Sequence, residues 1–351
     1  MPGLGSTGGG KYQLSVGWRD ARSERSYFGA YVNQNITENW APRERISILD
    51  VTGRYLVNPR VSVTATLPIV FNNFSMLYPP NGPGQGVRSG DNSNGIGDLS
   101  LFVQRYLLKP KDHPFGNFAA GIGIKIPTGN YNVQADLPNL TGTGFMQRTF
   151  YPPAIMPGDG GTGIIFGING WKQFRKSYLR GQTVFASASY LSNPRNTNGT
   201  NSIVQSFGVP LAPQFLTELT NSVTDSFNVQ AGASIKIPKT WDKPILKGLR
   251  GRVTFNWEGI PEHDLFGKSQ GYRQPGYIMS VAPGFTYAYG KSLIIAEVPI
   301  IFARYINGTK SAIPDLLQNP NGSLSPAPFT PQTNLGMVPS VAVSLRCIHT
   351  F

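Results

Sequence analysis

Apolar and polar residues alternate with a period of two along most of the chain, and no stretch follows the 3.6-residue period of an amphipathic helix. Because successive side chains of a β-strand point to opposite faces, each alternating segment predicts a strand with one apolar and one polar face. The segments lie at 12–19, 49–57, 61–69, 98–104, 117–126, 164–168, 178–190, 227–237, 252–258, 279–287, 294–302 and 341–351. The pattern therefore predicts an all-β protein of about 12 strands.

The connections between these segments alternate between short and long. Short or moderate turns are expected at 58–59, 109–116, 175–176, 239–248 and 290–291. Long loops are expected at 20–42, 72–94, 128–158, 192–225, 262–273 and 305–335. This sorting is typical of a single transmembrane antiparallel up-and-down β-barrel with short periplasmic turns and long extracellular loops. An even strand number then predicts that both termini are periplasmic, in the bacterial outer membrane.

The last segment is expected to close the barrel against the first. Its apolar face holds Val341, Val343, Leu345, Cys347 and Phe351. A strand that ends on an aromatic residue resembles the closing strand of outer-membrane barrels, which the barrel-insertion machinery reads. The resemblance implies that Leu345 and Phe351 form the insertion signal, although His349 departs from the usual apolar pattern.

Composition fits this architecture better than the alternatives. Only 14% of residues are charged, 41 are glycine, and the mean hydropathy is −0.18. The mixture is too polar for helical membrane spans, which need about 20 apolar residues in a row. A soluble β-sandwich or propeller has no reason to sort its loops by length. We predict a flexible segment at 1–10 and a barrel at 11–351; without a visible signal peptide, the sequence is expected to be a mature or trimmed chain.

The net charge of +13 is concentrated near the short turns. Such a basic rim favours contact with lipid head groups and solvent, or else an electrostatic bias towards anions or an acidic periplasmic partner. Nucleic acid is not an expected partner, because the basic residues lie at separated turns without a continuous aromatic groove.

Charged residues also recur on the faces that alternation turns inward. They are Asp50, Arg54, Asp98, Lys125, Lys236, Arg250, Arg252, Glu258, Glu297 and Arg346. In a narrow barrel these residues could form a structural network of paired charges or a lining that selects the solute. Both interpretations remain open at this stage.

Evidence for metal or catalytic chemistry is weak. Asp91, Asp98 and Asp159 lie near glycine-rich segments and are candidate oxygen ligands for Ca²⁺, but their spacing fits no EF-hand. His263-Asp264 is the one pair that could suggest a hydrolase, and no G-x-S-x-G motif is present. We therefore predict no enzymatic activity and no cofactor.

The long loops carry many uncharged apolar residues, which should not remain exposed outside a cell. We expect Phe145, Phe150, Tyr151, Phe207 and Phe215 either to form a constriction over the mouth or to bind a solute or a partner protein.

Several short motifs together resemble one family over nearly the whole chain. They include Gly95-Ile96-Gly97-Asp98-Leu99, Ile126-Pro127-Thr128-Gly129, and Glu258 to Leu265 followed by Gly271-Tyr272-Arg273-Gln274-Pro275-Gly276-Tyr277. The family is that of outer-membrane proteins associated with the meta-pathway of phenol degradation, or described simply as transporters.

The resemblance implies a channel for passive uptake of small solutes, hydrophobic or aromatic in some members. The alternative is a non-transporting scaffold that docks an envelope protein through its loops or basic rim. Expected partners are outer-membrane lipid and lipopolysaccharide, the insertion machinery, the small solute and, for the scaffold, an envelope protein.

Overall fold

The computed structural model of the chain consists mainly of β-strands. It describes residues 10–78, 86–138, 146–151, 153–176, 178–202, 204–205, 213–236, 246, 248–306, 336–337 and 341–351.

The strands are β1 (Tyr12–Ser23), β2 (Ser26–Phe28), β3 (Tyr31–Val32), β4 (Arg43–Asn58), β5 (Val61–Tyr78), β6 (Val87–Ile96), β7 (Leu99–Tyr106), β8 (Gly116–Ile126), β9 (Gln134–Pro138), β10 (Met146–Phe150), β11 (Gly163–Gln173), β12 (Thr183–Ser192), β13 (Thr197–Asn201), β14 (Thr220–Ser222), β15 (Ser226–Lys236), β16 (Leu249–Ile260), β17 (Gly276–Tyr289), β18 (Ser292–Glu297), β19 (Ile300–Ile306), β20 (Gly336–Met337) and β21 (Val341–Thr350). One short helix, α1 (Gln34–Asn39), and 3-10 helices at Pro153–Ile155 and Pro213–Leu219 lie in the connections.

The wall is one antiparallel sheet that closes on itself. Its order is β1, β4, β5, β7, β8, β11, β12, β15, β16, β17, β18 and β21, and β21 pairs back onto β1. The segments β6 and β19 extend two of these strands beyond an interruption. The predicted closed barrel of 12 strands is confirmed.

Two interruptions divide strands of the wall, and only the second lies inside a segment, 294–302, that the alternation pattern predicts as one strand. The first falls at Gly97-Asp98, between β6 and β7, and the second at Val298-Pro299, between β18 and β19. Pro299 has no N–H to donate to a neighbouring strand, which explains why pairing stops there. Beyond it, β19 pairs with β17, whereas the described pairings of β21 are with β1 and β18.

The short connections agree with the sequence at two turns and differ at a third. At the first, Asn58 Oδ1 accepts hydrogen bonds from the backbone N–H of Arg60 and of Val61, each at 2.9 Å. Gly290 makes its turn with φ of 57°, a conformation that glycine adopts without strain. The turn predicted at 175–176 is longer than expected, because β11 ends at Gln173 and β12 begins at Thr183 rather than at 178.

The opposite end carries the larger connections. The prediction of a loop at 72–94 is wrong over most of its length, because β5 and β6 continue as a paired ladder up to Tyr78 opposite Val87. Further small ladders pair β9 with β10, β13 with β14, and β2 with β3 and β20. Among the described residues, no helix is long and apolar enough to cross a membrane.

Candidate functional site: the lumen and its mouth

One arc of the lumen carries charges that are paired with each other. Arg19 Nε lies 3.0 Å from Asp50 Oδ2, joining β1 to β4. Arg252 Nε lies 2.8 Å from Glu297 Oε1, joining β16 to β18, and Thr254 Oγ1 donates to the same oxygen. Arg346 lies between these pairs and interacts electrostatically with both carboxylates. The arc therefore forms a ladder of three guanidinium groups and two carboxylates.

The opposite arc is rich in glycine, and its inward side chains are uncharged except for Lys125 at the mouth end of β8. Phe102 of β7 lies against the inner wall over Gly121, Gly123 and Gly167, where an added β-carbon would approach its ring to within 2.6–2.8 Å. Phe185 of β12 lies over Gly232 in the same way. Because these glycines carry no side chain, the aromatic rings can lie flat instead of filling the bore.

The two arcs meet where Arg252 stacks on Phe185. The guanidinium carbon lies 4.0 Å from the ring centroid, which is cation–π geometry. The ion pair with Glu297 and the stacking contact fix the guanidinium between a charged and an apolar surface.

The remaining inward charges lie towards the two ends of the barrel. Near the short turns, Arg250 donates to Ser234 Oγ at 3.0 Å and to the carbonyl oxygen of Gly181. Lys236 lies opposite Arg250, and Arg54 lies opposite Gln13. Towards the long loops, Glu258 accepts a hydrogen bond of 3.1 Å from Asn228. Ten predicted lumen residues thus fall into separate groups rather than one ring.

A buried ion cluster lies at the first wall interruption. Lys125 Nζ lies 3.5 Å from Asp98 Oδ2 and also contacts Asp159 Oδ2, and the lysine side chain is 8% exposed. The backbone N–H of Gly129 donates to Asp98 at 3.0 Å, so the cluster ties β8 to two mouth loops.

The three candidate Ca²⁺ ligands do not come together at one point. Asp98 and Asp159 converge on the Lys125 ammonium, whereas Asp91 lies on β6 next to the mouth residue Tyr151. Within the described ranges, no group of three or more His, Cys, Asp or Glu side chains has the geometry of a metal site.

Tyr151 and the described residues 153–158 fold inward at the mouth. Tyr151 is 1% exposed and packs edge-on against Phe74, with ring centroids 6.2 Å apart. Ile155 is fully buried, and its carbonyl oxygen accepts a hydrogen bond of 2.9 Å from Asn72 Nδ2 on the inner face of β5. Burial raises the pKa of Tyr151, so its phenol stays neutral.

The other predicted mouth residues have varied positions. Phe150 ends β10 opposite Gln134, and Phe215 is buried in the second 3-10 helix. Phe145 and Phe207 lie outside the described residues.

Sequence reasoning missed a second buried hub, centred on Asp225. Asp225 Oδ2 accepts hydrogen bonds from Tyr190 Oη at 2.8 Å and Leu265 N at 2.7 Å, and Oδ1 accepts one from Asn193 N at 2.6 Å. Asp264 accepts the Asp225 N–H at 3.0 Å. A signal existed, because Asp264 lies in one of the motifs that carry the family resemblance.

The same hub accounts for the candidate hydrolase pair. Arg273 binds the Asp264 carboxylate through both terminal nitrogens, at 2.7 and 3.0 Å. His263 is exposed. Asp264 therefore anchors a loop, and its described partners do not include the imidazole of His263.

The closing strand presents its apolar face outward. Leu345 pairs opposite Trp18 and is half-exposed, as is Phe351. His349 faces outward with them, packs edge-on against Phe351 at 4.7 Å, and hydrogen-bonds Ser292 Oγ through Nδ1 at 2.8 Å. Ile348 faces inward instead, opposite Leu293.

No family model and no curated protein matches the chain. Its fold is similar to that of an outer membrane channel from Pseudomonas putida F1, with a TM-score of 0.56 and 11% identity over 97% of this chain and 96% of that chain. Lower similarity extends to the Pseudomonas putida toluene transporter TodX (TM-score 0.43, 9% identity, covering 97% and 89%). The Ralstonia pickettii toluene transporter TbuX is similar with a TM-score of 0.41 and 9% identity, over 99% of this chain and 91% of that chain. The chain therefore has the fold of outer-membrane β-barrels, and the relation to the phenol-degradation family stays a prediction.

Proposed function

We propose that the protein is an outer-membrane channel for passive uptake of small hydrophobic or aromatic solutes, and not an enzyme. The observation that carries the proposal is the two-sided lumen, in which Phe102 and Phe185 lie flat on glycines opposite a ladder of paired charges. An apolar solute can slide along the uncharged arc, while water and polar substituents are solvated at the charged arc.

The outer surface supports a membrane location. Side chains that alternation turns outward are apolar and exposed around the wall, for example Ile168 at 62%, Phe118 at 61% and Ile122 at 55%. Such a continuous exposed apolar surface is stable in lipid and not in water. We place the short turns and both termini on the periplasmic side, by the usual sorting of loop lengths. The fold-level similarity to an outer membrane channel agrees with this assignment.

To test the proposal, a substitution is chosen that narrows the lumen at one point of the uncharged arc. A β-carbon at Gly167 would lie 2.7 Å from Phe102 Cζ, so the ring must move by about 1 Å to regain ordinary carbon contact, and farther for valine. Gly167→Val should therefore push Phe102 into the bore. Gly53→Val is the matched control, because a β-carbon there meets nothing within 4 Å.

Two measurements are needed: single-channel conductance in planar bilayers, and uptake of labelled toluene by porin-deficient cells. We expect the wild type to show both, G167V to reduce both, G53V to match the wild type, and F102A/G167V to recover. A folded wild-type barrel without conductance or uptake would refute the channel. It would favour the scaffold, especially if a stoichiometric envelope protein stays bound through detergent purification.

A further inference from the structure

The outward side chains of β1, β4, β5 and β6 change character towards the long-loop end. One cross-strand row is apolar and contains Trp18, Leu49, Ile69 and Ile96. Four residues farther along β1, the corresponding row begins with Arg22 and Arg45 and continues with Asn73 and Asn92. Four residues of strand span about 13 Å, so the apolar wall gives way to a cationic surface over a short distance.

Four arginines form this surface, which we call the arginine patch: Arg22, Arg43, Arg45 and Arg88. Arg43 pairs with Ser75 across β4 and β5, and Arg88 donates to Ser75 Oγ at 3.1 Å. The four side chains therefore lie on one contiguous part of the outer wall. Phe71, 46% exposed, lies on the same face, between the apolar row and the patch.

The patch is only partly neutralised by its own carboxylates. Asp20 lies 2.8 Å from Arg45 Nε and 3.5 Å from Arg22 Nε, and Glu24 lies 3.9 Å from Arg43 Nε. Four guanidinium groups against two carboxylates leave a charge of +2. The ion pairs use Nε, and the side chains of Arg22, Arg43 and Arg45 remain 59%, 57% and 48% exposed. The exposed terminal nitrogens of these three arginines can therefore reach an anion, whereas Arg88 donates through both of its terminal nitrogens, to Ser75 Oγ at 3.1 Å and to the carbonyl oxygen of Ala41 at 2.9 Å.

Position and chemistry together select the anion. Cations at the upper edge of a lipid-facing wall lie where the head groups of the outer leaflet begin. Guanidinium groups bind phosphate oxygens through two parallel hydrogen bonds, which makes arginine the preferred residue for phosphate recognition. The apolar row directly below can pack the acyl chains of the same molecule.

We propose that the arginine patch is a binding site for the phosphates of a phosphorylated glycolipid of the lipid A type. Arg22 and Arg45 lie opposite each other on adjacent strands and can share one phosphate. Arg43, which lies opposite Ser75, can bind a second phosphate, and Arg88 adds positive charge beside it. The acyl chains then lie over Trp18, Phe71 and Ile96. The site rests on the proposed outer-membrane location and orientation, but not on solute transport.

Native mass spectrometry of the detergent-solubilised barrel, titrated with diphosphoryl lipid A, tests the site. Binding should weaken about 10- to 100-fold in R22Q/R43Q/R45Q, because each substitution removes a surface cation that attracts the anionic head group. The matched control is R105Q/R175Q/R180Q, which removes three exposed arginines at the short-turn end. R22K/R43K/R45K keeps the charge without the fork geometry and should bind with intermediate affinity.

Folding of every variant is verified by heat-modifiable migration, which does not depend on conductance, so a failed channel and a failed lipid site are distinguishable. Monophosphoryl lipid A should bind more weakly than the diphosphoryl form. Equal binding by the patch and control variants would overturn the site. Equal binding of phosphatidylglycerol would overturn the assignment to a glycolipid, since it would indicate a general anionic-lipid surface.

Discussion

Replacing Asp225 removes a buried carboxylate that joins the loop after β12 to the loop between β16 and β17. The residue is fully buried, and its two oxygens accept three hydrogen bonds, from Tyr190 Oη, Leu265 N and Asn193 N, at 2.6–2.8 Å. Asp225→Ala leaves all three donors without this acceptor. Asp225→Asn keeps one acceptor oxygen and places an NH₂ group where the other was.

The expected size of the effect follows from this geometry. Hydrogen bonds to an ionised group contribute about 1.5–3 kcal/mol each, but their losses are not additive and a buried charge is removed as well. We therefore expect D225A to destabilise the joined loops by about 3–5 kcal/mol. If the single amide oxygen takes the position shared by Tyr190 and Leu265, D225N loses one bond and about 1–2 kcal/mol.

Amide hydrogen exchange of loop peptides measures this local opening free energy. At 1.36 kcal/mol per tenfold change, D225A should accelerate exchange in peptides around Asn193 and Leu265 about 10²- to 10⁴-fold. Asp136→Ala is the control, since Asp136 pairs with Arg148 at 3.3 Å and both side chains are 62% exposed. Exposed pairs contribute about 0–1 kcal/mol. Similar exchange in D225A and D136A would refute the assignment of Asp225 as the anchor of these loops.

Two further outcomes are expected. Lys125→Met leaves Asp98 and Asp159 facing each other without a cation, so urea unfolding in liposomes should show a loss of about 3–5 kcal/mol that K125M/D159N partly restores. Burial raises the pKa of Tyr272, so the neutral phenol stabilises its loop fully below the unfolded pKa of about 10. Above that pH, the free energy of opening this loop should fall by up to about 1.4 kcal/mol per pH unit. Exchange of the β16–β17 loop should lose this pH dependence in Y272F but not in Y178F, because Tyr178 is 91% exposed.

The strand set could be predicted because lipid and lumen impose opposite polarities on alternate residues. Every predicted strand corresponds to a strand of the barrel wall, or to a pair such as β18 and β19. The signal fails at the mouth, where the outer face of β5 and β6 is polar and the inner face of β5 packs against the Tyr151–Ile155 region. Asn72, Asn73, Asn92 and Asn94 are polar whichever way they point, so the β5–β6 ladder gives no alternation and looked like a loop.

That failure also concealed the arginine patch. Arg22 falls in the region predicted as the first long loop, Arg43 directly after it, and Arg88 in the second. Basic residues in separate loops predict no common surface, whereas paired strands bring them together on one face. The prediction that positive charge belongs mainly to the short turns therefore overlooked the cations at the other end.

The buried hubs lay beyond sequence reasoning for a different reason. Lys125 and Asp159 are 34 positions apart, and Arg273 anchors Asp264 across a loop whose path has no periodic pattern. The alternation of apolar and polar residues identifies which charged side chains point inward. It does not identify their ion-pair partners, because these depend on the stagger between strands.

The inward side chains also bear on where a solute would pass in the proposed channel. The bore of a 12-stranded barrel is narrow, so inward side chains fill it unless they are small or lie flat. On the charged arc, Arg346 extends over Gly17, whose added β-carbon would lie 3.1 Å from Arg346 Nε, so glycine there accommodates a side chain that is held by charge. On the uncharged arc, Gly121, Gly123 and Gly167 accommodate Phe102, which has no charged partner to hold it away from the wall. In the proposed channel, we therefore expect the solute path to follow β7, β8 and β11 rather than the ladder of charges.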